Sequence, residues 1–169
     1  MQEEASEESK KIEKKEELFF PFIEDFSLFI QAGFMAIYQA DEDSATKLFM
    51  AAQLLRPDHP IPHIGYGYIA LYKLDSQGVR MATKPVLEKE PSHSVARTLV
   101  ALSDLLEGKE DGTLSPLEEL ATVAKQSEDP LIEKIFSLMT DWSKERERAR
   151  IENRSPMEMM REEQEREGE

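Results

Sequence analysis

Three histidines, an acidic triplet and two closely spaced glycines are the residues whose types and spacing invite chemistry here. His59 and His63 stand four apart, the separation at which two imidazoles share one helix face and grip a metal ion. Pro60 and Pro62 lie between them, so this stretch is extended or a helix start, not a helix interior. Asp41-Glu42-Asp43 has the charge of a cation loop, but lacks the glycine and the distant bidentate Glu of a calcium loop. It reads as a turn leading into the acidic first turn of a helix. Gly65-Tyr66-Gly67 is too short for a phosphate-binding fingerprint. No Ser-His-Asp order stands out, and carboxylates are too common to single out a pair. The absence of cysteine removes disulfides, thiolate zinc sites and cysteine nucleophiles. The expectation is a protein with no metal, no cofactor and no catalytic residue, hence not an enzyme.

The elements that position these residues are repeated. Laid against itself with an offset of 34, the chain places Gly33-Phe34-Met35-Ala36-Ile37-Tyr38 on Gly67-Tyr68-Ile69-Ala70-Leu71-Tyr72. Pro57-Asp58-His59 falls on Pro91-Ser92-His93 in the same register, which explains His59 and His93 as equivalent turn or helix-entry residues. A 34-residue period with this pattern resembles the tetratricopeptide repeat, a helix-turn-helix unit. In the first repeat Phe29 stands where Trp is usual, and Gly33, Ala45, Phe49, Ala52 and Pro57 match the pattern. Ala32 and Ala36 replace its Leu and Tyr. The small residues let two helices approach, and Phe29 and Phe49 fill the gap. The second repeat keeps Gly67 and Pro91 but carries Val79 and Thr83 where Ala and Phe are usual. A third unit begins at Ser94, with Ala101 at the glycine position and Gly108–Gly112 lengthening its turn.

Helices are predicted over 23–39, 43–55, 61–73, 76–89, 93–107, 115–127 and 129–150. Ser115 and Asp129 serve as N-caps, with Pro116 and Pro130 at the first helical positions. Leu131, Ile132, Ile135, Phe136, Leu138, Met139 and Trp142 recur at helical spacing, suiting a helix that covers the open end of a repeat stack. The predicted fold is thus all-α: about three helical hairpins over 18–142, capped by a C-terminal helix. An acidic, unstructured leader occupies 1–17, and a charged tail, helical or disordered, occupies 143–169.

Charge narrows the partners. The net charge is −14, and residues 18–142 hold nineteen acids against ten bases. Nucleic acid and anionic membrane surfaces are disfavoured, and basic or neutral partners are favoured. The N-terminal stretch lacks the apolar core of a secretory signal, and Phe26–Ala40 is too short and interrupted to span a bilayer. The expected location is the cytoplasm.

In the tetratricopeptide family the first helices line a concave groove from five positions of each repeat. Carried over, these are Ser27, Ile30, Phe34, Ile37 and Tyr38; Ile61, Ile64, Tyr68, Leu71 and Tyr72; and Val95, Thr98, Leu102, Leu105 and Leu106. The groove is apolar and aromatic, suited to an amphipathic helix or an extended apolar segment of a protein partner. The partner-binding residues expected are Ile30, Phe34, Ile37, Tyr38, Ile64, Tyr68, Leu71, Tyr72, Leu102 and Leu105, with Tyr38, Tyr68 and Tyr72 foremost. Two other readings stand beside this one. The protein's own Leu18-Phe19-Phe20-Pro21-Phe22 fills the groove, or these side chains simply pack core.

The segment Ile30 to Pro91, with IQAGFMAIYQADEDSATKLFMAAQLLRPDHP followed by GYGYIALY, resembles the chaperones of bacterial type III secretion. It is more similar to the needle-subunit branch than to the translocator branch. The resemblance implies a cytoplasmic chaperone that keeps an aggregation-prone secreted subunit soluble before export. The competing expectation is a repeat scaffold or adaptor within a larger assembly.

Overall fold

The computed structural model describes residues 24–108 and 115–152, with side chains as far as Ala149. Seven α-helices run through these residues: α1 Phe26–Tyr38, α2 Glu42–Leu55, α3 Pro60–Tyr72, α4 Ser76–Lys89, α5 Ser94–Glu107, α6 Pro116–Gln126 and α7 Pro130–Glu152. The chain is an all-α stack of three hairpins, α1–α2, α3–α4 and α5–α6, closed by α7. Residues 1–17 and Leu18–Phe22, the middle of the lengthened turn and residues 153–169 lie outside the described residues. The part of the charged tail that is described, 143–152, continues α7.

The 34-residue period extends to the backbone. Phe26, Pro60 and Ser94 open α1, α3 and α5 at intervals of 34, and Glu42 and Ser76 open α2 and α4 at the same interval. Both complete hairpin turns are built alike. At the end of α1, Ala40 N–H donates to Ile37 O (2.9 Å) and Asp41 N–H to Ala36 O (2.9 Å). At the end of α3, Leu74 N–H donates to Leu71 O (3.0 Å) and Asp75 N–H to Ala70 O (3.0 Å). This is the Schellman pairing, which requires a left-handed residue after the helix. Ala40 (φ 57°) and Leu74 (φ 55°) supply it although neither is glycine. The next residue caps the second helix: Asp41 Oδ1 accepts from Ser44 N–H (3.0 Å) and Asp75 Oδ1 from Gly78 N–H (2.9 Å). The acidic triplet is therefore a cap followed by the first turn of α2, as its composition predicts.

Two of the three histidines cap the other ends. His59 Nδ1 accepts from Ile61 N–H (3.2 Å) at the start of α3, and His93 Nδ1 accepts from Ala96 N–H (3.3 Å) at the start of α5. Ser115 forms a capping box with Glu118, and Asp129 Oδ1 accepts from Leu131 N–H (2.9 Å).

Successive first helices touch, α1 with α3 and α3 with α5, and each second helix bridges to the next first helix. The first helices thus form the inner layer of the stack. The two inter-repeat joints solve one packing problem in opposite ways. In the first joint the fully buried Phe49 ring of α2 fits because Gly33 and Gly65 face it; a Cβ at these positions would stand 2.8 and 2.5 Å from ring carbons. In the second joint the equivalent of Phe49 is Thr83, and the equivalent of Gly65 is Leu99. Leu99 fills from α5 the space that Thr83 leaves in α4, and a Cβ on Gly67 would meet Leu99 Cδ1 at 3.1 Å and Thr83 Cγ2 at 3.3 Å. Thr83 is wholly buried, and its hydroxyl donates to Val79 O (2.8 Å). The departure of the second repeat from its pattern at Thr83 is therefore a large-for-small exchange across the joint, with close packing kept.

The end cap is narrower than the apolar spacing of α7 implies. Ile132 is buried, and Ile135, Phe136, Met139 and Trp142 are half-buried. Leu131 and Leu138 face solvent, because α7 lies on the stack along one side only.

Candidate functional site

The residues expected to line the groove divide into three groups. Ile30, Ile37 and Ile64 are buried core residues that pack against neighbouring helices. Thr98, at the position equivalent to Ile30 and Ile64, is buried too, and its Oγ1 has no hydrogen-bond partner. A second group is half-buried: Phe34, Tyr68, Leu71, Leu102 and Leu105. Phe34 lies edge-on between Phe49 (5.2 Å between centroids) and Tyr68 (5.7 Å), a geometry that favours aromatic pairs. Burial pushes the Tyr68 phenol above its ordinary pKa, and the Asp129 carboxylate adds to this. Ile61 and Val95 pack on the two core clusters, and Ser27 is exposed.

The third group is open to solvent. Tyr38 is 83% exposed, Tyr72 68% and Leu106 42%. They occupy one repeat position at intervals of 34, at the last turn of α1, α3 and α5. Leu74, 73% exposed, stands beside them in the turn after α3. A row of large apolar side chains left in water at matching places is what a binding edge requires and a monomer core does not.

Two shallow cavities lie along this row. The first, of about 180 Å3, is lined by Ile37, Ala40, Ile69, Tyr72, Glu42 and Lys73. The second, of about 230 Å3, is lined by Leu71, Leu74, Ser103, Leu106 and Glu107. Every residue lining the second is the 34-residue counterpart of one lining the first. Both fall below the roughly 300 Å3 at which small-molecule sites begin. Each is of a size for a single aliphatic side chain. Ile37 and Leu71 take part as walls, while the buried Ile30 and Ile64 do not.

Comparison with protein-family models, curated proteins and solved structures finds no match for this chain.

The edge carrying the cavities is acidic. Asp41, Glu42, Asp43, Asp75, Asp104 and Glu107 all lie at or beside the hairpin turns. Among the described residues, cations on this edge are held in ion pairs: Lys73 with Glu42 (2.8 Å), Arg80 with Asp104 (2.6 Å) and Lys47 with Asp43. Hydrogen bonding to Ser44 holds Asp41 below the usual carboxylate pKa, so it stays charged. The opposite edge carries a larger cavity of about 410 Å3 between Pro57, Pro60, His63, Pro85 and Val86, bridged by the Lys89–Asp58 pair.

Among the described residues no group of three His, Asp or Glu side chains is placed to hold a metal ion. His59 is committed to its cap and lies tilted against Phe26 (4.8 Å between centroids, 54° between planes), whose ring also carries Arg56 at 4.7 Å. His63 Nε2 lies 3.4 Å from Gln53 Nε2, and Gln53 Oε1 accepts from Tyr66 Oη (3.3 Å). Burial lowers the pKa of both histidines, with Arg56 adding to the effect at His59 and Lys89 at His63. Among the described residues no helix is long and apolar enough to cross a membrane.

Proposed function

We propose that this chain is a non-catalytic, protein-binding repeat stack of the tetratricopeptide type. It acts as a cytoplasmic chaperone that holds an aggregation-prone subunit, a needle or translocator component of type III secretion, soluble before export. The observation that carries the reading is the row Tyr38, Tyr72 and Leu106, exposed at one repeat position along the inner layer. Such a row offers apolar contact to a partner longer than one repeat. It matches the needs of a subunit whose apolar helices self-associate when free, since covering about 1,000 Å2 of such a surface suppresses association. The acidic edge repels a second acidic copy and admits neutral or basic segments.

A scaffold or adaptor role has its own support in the exposed Leu131 and Leu138, seven residues apart on the outer side of α7. That stripe is remote in sequence from the row and suits a folded neighbour docked on the end of the stack. Tagged protein recovered from its native cell separates the two readings. A small helical subunit that aggregates or is lost when this chain is deleted supports the chaperone. A folded, independently stable partner released by Leu138→Ser but not by Tyr72→Ser supports the scaffold and refutes the chaperone.

A further inference from the structure

We infer that the two repeat-related cavities receive two aliphatic side chains spaced seven residues apart on one amphipathic helix. The helix lies along the stacking direction and carries Lys or Arg beside its apolar stripe. This rests on the protein-binding reading above and specifies its ligand.

The repeat sets the spacing. The cavities are copies of one another, so whatever fits the first fits the second after one step along the stack. That step is the separation of adjacent packed helices, about 8–10 Å. An α-helix rises 1.5 Å per residue, so positions i and i+7 lie about 10 Å apart on one face. Positions i and i+4 are too close for the two cavities, and i and i+11 too far.

The walls define what enters. Ile37, Ile69 and Tyr72 line the first cavity and Leu71, Leu74 and Leu106 the second, with Tyr72, Leu74 and Leu106 exposed, so each cavity takes an apolar group. The rims define the flanks. Lys73, on the rim of the first cavity, is paired with Glu42 (2.8 Å), so it sets no free positive charge against a basic flank. With Asp41 and Asp75 at the two hairpin turns of this edge, a basic flank meets complementary charge and an acidic flank meets repulsion.

The test uses the full chain and fluorescein-labelled 21-residue peptides of alanine and lysine, each with two leucines at i,i+4, i,i+7 or i,i+11. Affinity is read by fluorescence anisotropy at low salt. A fourth peptide keeps the i,i+7 leucines and replaces lysine by glutamate. The i,i+7 lysine peptide is expected to bind about tenfold or more tightly than the other three, since each mis-spaced leucine stays in water. Tyr72→Ser and Leu106→Ser alter exposed walls, and each should cost that peptide about tenfold. Met81→Ser, an exposed change on α4, should cost nothing. Equal affinity across the spacing series overturns the inference, as does binding that survives both wall substitutions. Because the peptides are synthetic, failure here leaves the export reading standing, and failure of that reading in cells leaves this result standing.

Discussion

Exchange of the first inter-repeat joint for the second is the sharpest perturbation of the fold. Phe49→Thr and Gly65→Leu together install in the first joint the pair that already fills the second, Thr83 and Leu99. Phe49→Thr alone empties a wholly buried site and should cost about 3 kcal/mol or more, near the lower end for large-to-small aromatic changes. Gly65→Leu alone drives a Cβ to 2.5 Å from Phe49 Cζ, with further ring carbons at 2.6 Å. The overpacking should cost about 2–3 kcal/mol even after the gain in helix propensity, about 1 kcal/mol, from replacing glycine. Independent effects would sum to about 5–6 kcal/mol. In the double variant the leucine enters the space the ring has left, and about 1–2 kcal/mol of destabilisation should remain. Urea unfolding followed by far-ultraviolet circular dichroism, on the four proteins of the cycle, measures the coupling. A double variant as unstable as the sum would refute the account of the joints as equivalent spaces filled from opposite sides.

Three further outcomes follow from single sites. Thr98→Val should stabilise the chain by about 1 kcal/mol in the same assay, because a methyl replaces a buried hydroxyl without a partner and Ile30 and Ile64 occupy its counterparts; a loss of stability would mean that the hydroxyl is satisfied. Leu74→Gly should raise stability by up to about 1 kcal/mol, since relief of a left-handed leucine exceeds the added freedom of the unfolded chain; a lower urea midpoint would count against strain there. The His59 pKa is depressed in the folded protein, so the unfolded chain takes up the proton first as pH falls. Its contribution to stability is complete above the ordinary histidine pKa and declines as pH falls below it toward the folded value. Protonation also removes the Nδ1 acceptor from the cap. His59→Asn keeps a capping acceptor without titrating, so it should lose less stability than the natural chain between pH 7.5 and 5; identical pH profiles would exclude the cap as the cause.

Much of the architecture was legible because its signals are local. Proline at the starts of α3, α6 and α7, aspartate at the turns and a single period of 34 locate the helices to within about three residues at each end. The division of the groove residues was not legible. Ile30, Phe34, Ile37 and Tyr38 lie on one apolar arc of α1, and periodicity alone does not say which of them a neighbour covers. The answer depends on Phe49 and Tyr68 reaching Phe34 from other helices, while Tyr38, on the last turn, extends past them. Tyr38, Tyr72 and Leu106 are therefore the clean probes of binding. A carboxylate at Phe34 or Tyr68 would disturb the ring contacts beneath. The exchange of Phe49 and Gly65 for Thr83 and Leu99 was hidden for a related reason: repeat alignment compares each residue with its counterpart, whereas the compensation runs between two different positions across a joint. The left-handed Ala40 and Leu74 carried no signal, since glycine is the usual mark of that conformation.

We propose that the exposed row on the inner layer holds an apolar segment of an aggregation-prone partner. The most direct measurement is affinity capture from the native cell with natural protein and with Tyr38→Ser/Tyr72→Ser/Leu106→Ser, read by mass spectrometry, together with sedimentation of the captured partner after release. The expected result is one small helical subunit held by the natural protein, absent from the folded triple variant, and aggregating once released. A partner retained by the triple variant, or one that stays soluble and folded alone, would contradict it.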